Sequence, residues 1–146
     1  MLYVKRKLLR LLINTQVIRG KVPIRMECAP AFNYARSPHT TEILPDFSAD
    51  LTNGNTRDLS SSQPPEQEKA LFSSPDANLS LDLRYVCAAT AEGVTLPKVD
   101  LRILDLSGKG HLGPAVSCDM ILEEGQAVWY GILPFALLSY RPLNHH

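Results

Sequence analysis

Between Val22 and Cys28 apolar and polar positions alternate without a break: Val22, Ile24, Met26 and Cys28 on one face, Pro23, Arg25 and Glu27 on the other. Side chains of a strand point alternately to opposite faces, so this pattern predicts a half-buried β-strand. Arg19-Gly20-Lys21 ahead of it is a polar hinge in which Gly20 can supply the positive φ of a tight turn. Pro23 has no N–H to give a ladder and belongs at a strand start or on an edge. Pro30 closes the run, and Phe32 and Tyr34 offer alternate aromatic contacts beyond it. Upstream, Leu8 to Ile18 fits two templates: Leu9, Leu11 and Ile13 alternate, while Leu8, Leu9, Leu11 and Leu12 also make a helical stripe. Proximity to the Gly20 turn favours a hairpin with the following strand.

The alternation dissolves between Pro38 and Pro65. Asn53-Gly54-Asn55, Ser60-Ser61-Ser62 and Pro64-Pro65 are turn and linker composition, which predicts a long, irregular and mobile insertion over 38–65. Order resumes at Lys69-Ala70-Leu71-Phe72. A turn at Ser74–Asn78 then introduces a strand over Leu79–Cys87, with Leu79, Leu81, Leu83, Tyr85 and Cys87 inward and Ser80, Asp82 and Arg84 outward. Val99–Ile103 repeats the device, and the phase shift at Leu104 and Leu106 around Asp105 marks a bulge or a strand end. Ser107-Gly108-Lys109-Gly110 is a turn. Ala115–Leu122 and Gln126–Leu133 are two further strands, joined through Glu123-Glu124-Gly125. Strands with one wet face and turns at short intervals predict an all-β fold, an antiparallel β-sandwich.

Length and composition fit that picture: 146 residues suit one domain, and 11 prolines with 8 glycines disfavour a helical bundle. Charge changes it slightly. Residues 1–36 hold eight Lys/Arg against Glu27 alone, leaving seven basic and fourteen acidic residues for the remainder. Such a split either steers an anionic partner or brings two opposite regions together in the fold, and the second is the expectation. The basic arm lacks interleaved aromatics beyond Tyr3, so no nucleic-acid partner is expected. Cys28, Cys87 and Cys118 have no CxxC spacing and read as small buried hydrophobes in a reducing compartment. Leu8 to Ile13 after Lys5-Arg6-Lys7 imitates a signal peptide, but Arg10 interrupts it and no small-residue cleavage site follows. Ile132–Leu138 is far shorter than the roughly 20 residues of a spanning helix. A cytoplasmic protein with no membrane partner is expected.

Candidate chemistry is sparse. His39, His111, His145 and His146 are scattered, Gly108-Lys109-Gly110 lacks the remaining residues of a phosphate loop, and neither a metal nor a cofactor is expected. Glycoside hydrolysis needs two carboxylates facing each other across a sugar. Asp119, Glu123 and Glu124 qualify by type, but adjacent acids beside Gly125 read as a solvated turn, and Trp129 is the sole tryptophan for a sugar platform. No catalytic residue is expected.

The block Pro23-Ile24-Arg25-Met26-Glu27-Cys28-Ala29-Pro30-Ala31-Phe32-Asn33-Tyr34-Ala35-Arg36, within Val17–Thr41, resembles the trehalase-like N-terminal domain of glycoside hydrolase family 15, the glucoamylase- and trehalase-like enzymes. The likeness continues through Ala70–Pro75, Leu79–Val86, Val99–Leu106, Gly110–Gly113 and Val116–Cys118, and in all spans residues 8–128. The resemblance implies a β-sandwich leaning on a downstream (α/α) barrel, whose two glutamates perform an inverting hydrolysis. Nothing in 8–128 corresponds to those glutamates. It therefore implies a non-catalytic domain that supports the barrel and is inactive alone, with α-glucan or trehalose as a candidate contact. Arg25, Glu27, Asn33, Tyr34 and Arg36 are the expected substrate- or domain-contact residues. Residues 129–146 depart from the family and are expected to be an atypical tail after a truncation, real or of the gene model. A domain shaped to lean on a barrel is expected to self-associate when isolated. The alternative is a stand-alone carbohydrate-binding or protein-interaction module.

Overall fold

The computed structural model describes residues 10–47 and 67–136; most of the expected mobile insertion, 48–65, and the distal part of the expected tail, 137–146, lie outside the described residues. The described chain forms strands β1 (Leu11–Gln16), β2 (Lys21–Cys28), β3 (Thr40–Pro45), β4 (Glu68–Ser74), β5 (Leu79–Ala89), β6 (Arg102–Leu104), β7 (Ala115–Glu123) and β8 (Gln126–Ala136). They make two antiparallel sheets, one of five strands in the order β1-β8-β5-β4-β3 and one of three in the order β2-β7-β6. The sheets pack as a sandwich, and among the described residues the only helical piece is a 3-10 turn at Ser107–Lys109. Leu83, Tyr85, Phe72, Val128 and Tyr130 of the larger sheet meet Val116, Cys118, Met120 and Leu122 of β7 in the core. Each fully buried side chain of this size contributes about 1.5–3 kcal/mol. Ile24, Met26 and Cys28 pack against that core from β2, as their alternation predicts, and Pro23 sits on an edge strand.

The Gly20 connection, expected as a hairpin, and the Glu124-Gly125 connection are both crossings between the sheets. β1 pairs with β8, not with β2, and β2 pairs with β7. The four strands therefore form one antiparallel ribbon that leaves the five-stranded sheet as β1·β8 and enters the three-stranded sheet as β7·β2. At the bend Val17 N–H donates to Gln126 O and Gly125 N–H to Val17 O, both at 3.1 Å. The Gly20 N–H donates to Glu124 Oε2 at 3.2 Å. Between this bend and the Lys21·Glu123 pair, one chain runs through Ile18, Arg19 and Gly20 and the other through only Glu124 and Gly125. The extra residue acts as a bulge. It shifts side-chain parity by one, so that Ile13 and Thr15 before the bend and Ile24 and Met26 after it all face inward. Gly20 (φ +77°) and Gly125 (φ +83°) take the left-handed geometry the bend requires. A short glycine turn suits a hairpin and a crossing equally; only the distant pairing with β7 and β8 separates them.

Three other expectations change. The irregular stretch begins with a strand: β3 pairs with β4, Thr41 opposite Phe72 and Ile43 opposite Ala70. Its Thr-Thr-Glu start hides the period, because threonine occupies an inward position. Residues 129–136, which the family resemblance sets apart as a tail, continue β8 as the strand pattern of Gln126–Leu133 predicts, between β1 and β5. The outer face of β5 is not wholly solvated: Ser80 and Asp82 are buried. Asp82 Oδ2 accepts from Lys69 Nζ at 3.3 Å and from Arg84 at 2.8 Å, and Arg84 also reaches Asp46 at 3.4 Å. Opposite charges across neighbouring strands make that burial tolerable.

Gln126 is the buried keystone of the bend. Its Oε1 accepts from Glu123 N–H at 2.8 Å, and its Nε2 donates to Thr95 O at 2.8 Å. Replacing it by leucine strands both backbone groups. Gln126→Leu is expected to lower stability by about 1–3 kcal/mol, seen as a lower urea midpoint at unchanged slope.

Candidate functional site

The five residues singled out in sequence occupy two separate places. Arg25 and Glu27 project from the outer face of β2, on the solvent side of the alternation. Arg25 Nε lies 2.9 Å from Glu27 Oε1 and 3.8 Å from Asp119 Oδ1, the residue directly opposite it on β7. Lys21 pairs with Glu123 at 2.8 Å near the bend. Lys21 and Arg25 thus meet acids of the C-terminal half across β2·β7, while Lys5, Arg6 and Lys7 lie outside the described residues. These pairs are solvent-exposed and contribute at most about 1 kcal/mol each.

Asn33, Tyr34 and Arg36 lie beyond the end of β2 on a corner of unusual geometry. Asn33, Tyr34 and Ala35 have φ of 49°, 55° and 62°, three successive left-handed residues without a glycine. Each costs roughly 1–2 kcal/mol relative to the right-handed form. The surroundings hold the turn closed. Arg36 N–H and Ser37 N–H both donate to Phe32 O, at 3.2 and 3.3 Å, and Phe32 and Ser37 form an isolated bridge. Phe32 is 2% exposed and anchors the turn, its ring 5.2 Å from that of His39, which in turn meets Phe72 edge-on. His39 Nε2 lies 3.0 Å from Pro114 O, so this nitrogen carries the proton and donates; Thr41 Oγ1 donates to the same carbonyl at 2.6 Å. Gly113 passes so close to His39 that any Cβ there would collide with it. The result is a rigid base presenting Tyr34, 93% exposed, with Arg36 beside it in solvent.

The two groups do not share a cleft. A cleft of about 460 Å³ between β1 and β2 is lined by Arg25 and Glu27 but by none of Asn33, Tyr34 and Arg36. A smaller one of about 190 Å³ under the corner draws in Ala35, His39, Lys109 and His111. Sequence spacing could not show this last gathering, since Lys109 and His111 come from a turn some seventy residues downstream. The three candidate carboxylates are held by structural partners: Asp119 by Arg25, Glu123 by Lys21 and Glu124 by the Gly20 amide. No described cleft is lined by two of them. Among the described residues no three His, Cys, Asp or Glu gather to hold a metal ion.

The cysteines are free thiols in the sandwich: Cys118 is buried, Cys28 and Cys87 partly so. Burial pushes the Cys28 and Cys87 thiols up from 9.0 to about 11, which suppresses the nucleophilic thiolate. Burial likewise raises Tyr85 to about 12. No family model, curated protein or solved structure matches the chain.

Two outcomes follow from this geometry. Ala35→Gly relieves one left-handed alanine at the cost of a freer unfolded chain, and a net gain of about 0.5 kcal/mol is expected in urea unfolding, while Tyr34→Ala changes stability by less than about 0.5 kcal/mol. The raised thiols, with Tyr85, weaken the fold in alkali: well below pH 9.0 the thiols are protonated in both states and their contribution is intact. Between 9.0 and about 11 the unfolded chain ionises first, so the thermal midpoint should stay level up to pH 9.0 and fall through that window.

Proposed function

We propose that this chain is the non-catalytic β-sandwich domain of a glycoside hydrolase family 15-like enzyme, a support for a catalytic (α/α) barrel. The Asn33–Arg36 corner is its contact point. What carries this reading is the unit formed by the resembling block itself: an edge strand, β2, running into a turn that is clamped from below by Phe32 and His39 and offers Tyr34 and Arg36 outward. Three left-handed non-glycine residues held in this way are a backbone arrangement that folding alone does not favour, and such outliers motivate a functional hypothesis. Tyrosine brings a rigid amphipathic ring and arginine a planar donor fork, both suited to a protein or sugar surface. The engagement of Asp119, Glu123 and Glu124 in structural contacts agrees with a supporting rather than a hydrolytic role.

A second reading, an independent carbohydrate-binding module, is favoured by the exposure of Tyr34 and by Trp129, which stands half-open on the outer face of β8 between Asn14 and Val86. The purified chain is expected to release no glucose from trehalose or maltooligosaccharides. Long-read sequencing of the natural transcript is expected to find barrel-coding sequence in frame downstream. A stop codon with no barrel-coding sequence beyond it, or glucose release abolished by Glu123→Gln or Glu124→Gln, would overturn the support role. Saturable calorimetric binding of a glucan by this chain, lost in Tyr34→Ala or Trp129→Ala, would favour the second reading.

A further inference from the structure

Two sheets have four edges, and an edge strand is a template for pairing with another chain unless something blunts it. Three of the four are blunted. β2 carries Pro23 and the charges Lys21, Arg25 and Glu27; β3 carries Glu42 and ends in Pro45; β6 is three residues long and bears Arg102. The fourth, β1, reads Leu-Leu-Ile-Asn-Thr-Gln, without a charge or a proline. Among the described residues it pairs with β8 on one side only.

Its side chains are open on both faces. Leu11 (51% exposed) and Ile13 (48%) point between the sheets yet remain half in solvent, because the three-stranded layer does not reach over them. With Met26, Leu83 and Ile132 they line the apolar cleft of about 460 Å³. Leu12, 65% exposed, lies on the other face beside Gly131, next to Trp129. Solitary exposed leucines are ordinary; an edge without a charge or a proline that leaves Leu11, Leu12 and Ile13 about half or more exposed, where the other edges are protected, is not.

We propose that β1 is a dimerisation edge, paired antiparallel with β1 of a second copy of this chain about a twofold axis. Self-complementarity selects the second copy as occupant. An uncharged strand meets no like charge in its own image, and the flanking Arg10 decides the direction: parallel pairing would stack Arg10 on Arg10, whereas antiparallel pairing sends the two to opposite ends. Opposed residues of an antiparallel pair share a face, so only registers that match odd with odd positions keep Leu11 and Ile13 inside in both copies. The register centred on Ile13 does so. It sets Ile13 against the second copy's Ile13, Leu11 against its Thr15, and Arg10 against its Gln16. The two five-stranded sheets become one of ten, with both three-stranded layers on the same side and the two apolar clefts facing one another. The proposal rests on edge chemistry and is independent of the support role.

Sedimentation velocity of the full chain over a wide concentration range is expected to show a monomer–dimer equilibrium. Ile13→Lys, which places two ammonium groups opposite each other, should raise the dissociation constant at least about tenfold while the far-ultraviolet circular dichroism stays native. Thr40→Lys, on the β3 edge, should leave it unchanged. If Ile13→Lys fails to fold, amide exchange of the unmodified chain decides: Leu11–Gln16 should exchange more slowly as concentration rises. A monomer at every concentration, a dimer that persists in folded Ile13→Lys, or concentration-dependent protection at another edge would overturn the proposal.

Discussion

The ribbon bend at Val17–Lys21 and Glu123–Gln126 is the constraint on which the sandwich depends. A two-layer β fold must carry its chain from one sheet to the other, and here two antiparallel segments do so together, remaining hydrogen-bonded to each other at the bend. The one-residue difference between the two sides keeps apolar faces inward both before and after the turn. Gln126 fixes the bend to the Thr95 backbone, and the Thr90 N–H and hydroxyl both reach Gly125 O, at 2.7 and 3.1 Å. The end of β5 and the connection that follows it are thereby tied to the same point. Without this joint β2·β7 would have no fixed angle over β8 and β5, and the core between them would lose its floor.

The joint also explains where charge is placed. By bringing β2 alongside β7 it sets Lys21 against Glu123 and Arg25 against Asp119, pairing two basic residues of the N-terminal part with acids on a solvated face. The larger sheet handles charge differently, burying Asp82 among Lys69 and Arg84 on its outer surface. One oxygen of that carboxylate, Oδ1, has no hydrogen-bond partner. A buried ion pair of this kind contributes little net stability but penalises any pairing of β4 and β5 that separates its members.

Among the described residues the exposed side chains of the Asn33–Arg36 corner lie at the periphery of this frame. The Phe32-anchored turn is rigid because its base belongs to the core, while its tip contributes almost nothing to stability. That division leaves strain held by packing below and an exposed ring at the apex. The inter-sheet cleft is apolar and the corner cleft small, and neither gathers the paired carboxylates of a hydrolase.

Much of this was legible along the chain, for a physical reason. The alternation of Val22–Cys28 and Leu79–Cys87 is imposed by the pleat itself, so strands, their inward faces and the edge placement of Pro23 follow from local chemistry. The glycine at 20 and the pair Glu124-Gly125 likewise announce reversals. Partnership was not legible. Whether a short reversal closes a hairpin or a crossing depends on which distant strand lies alongside, and β1 is claimed by β8, more than a hundred residues away. The same holds for β3, whose threonines conceal its period until β4 supplies a partner. Asn33 tolerates the left-handed region, but Tyr34 and Ala35 carry no sequence mark of it; burial of Phe32 and the bridge to Ser37 hold the turn. The sequence by itself determined the extended segments with clear alternation, such as Val22–Cys28 and Leu79–Cys87, and the core face of each, because those are properties of a residue and its neighbours. Only the tertiary structure decided which strands meet, which edge stays open and which side chains gather, because these depend on long-range pairing free energies that no local pattern encodes.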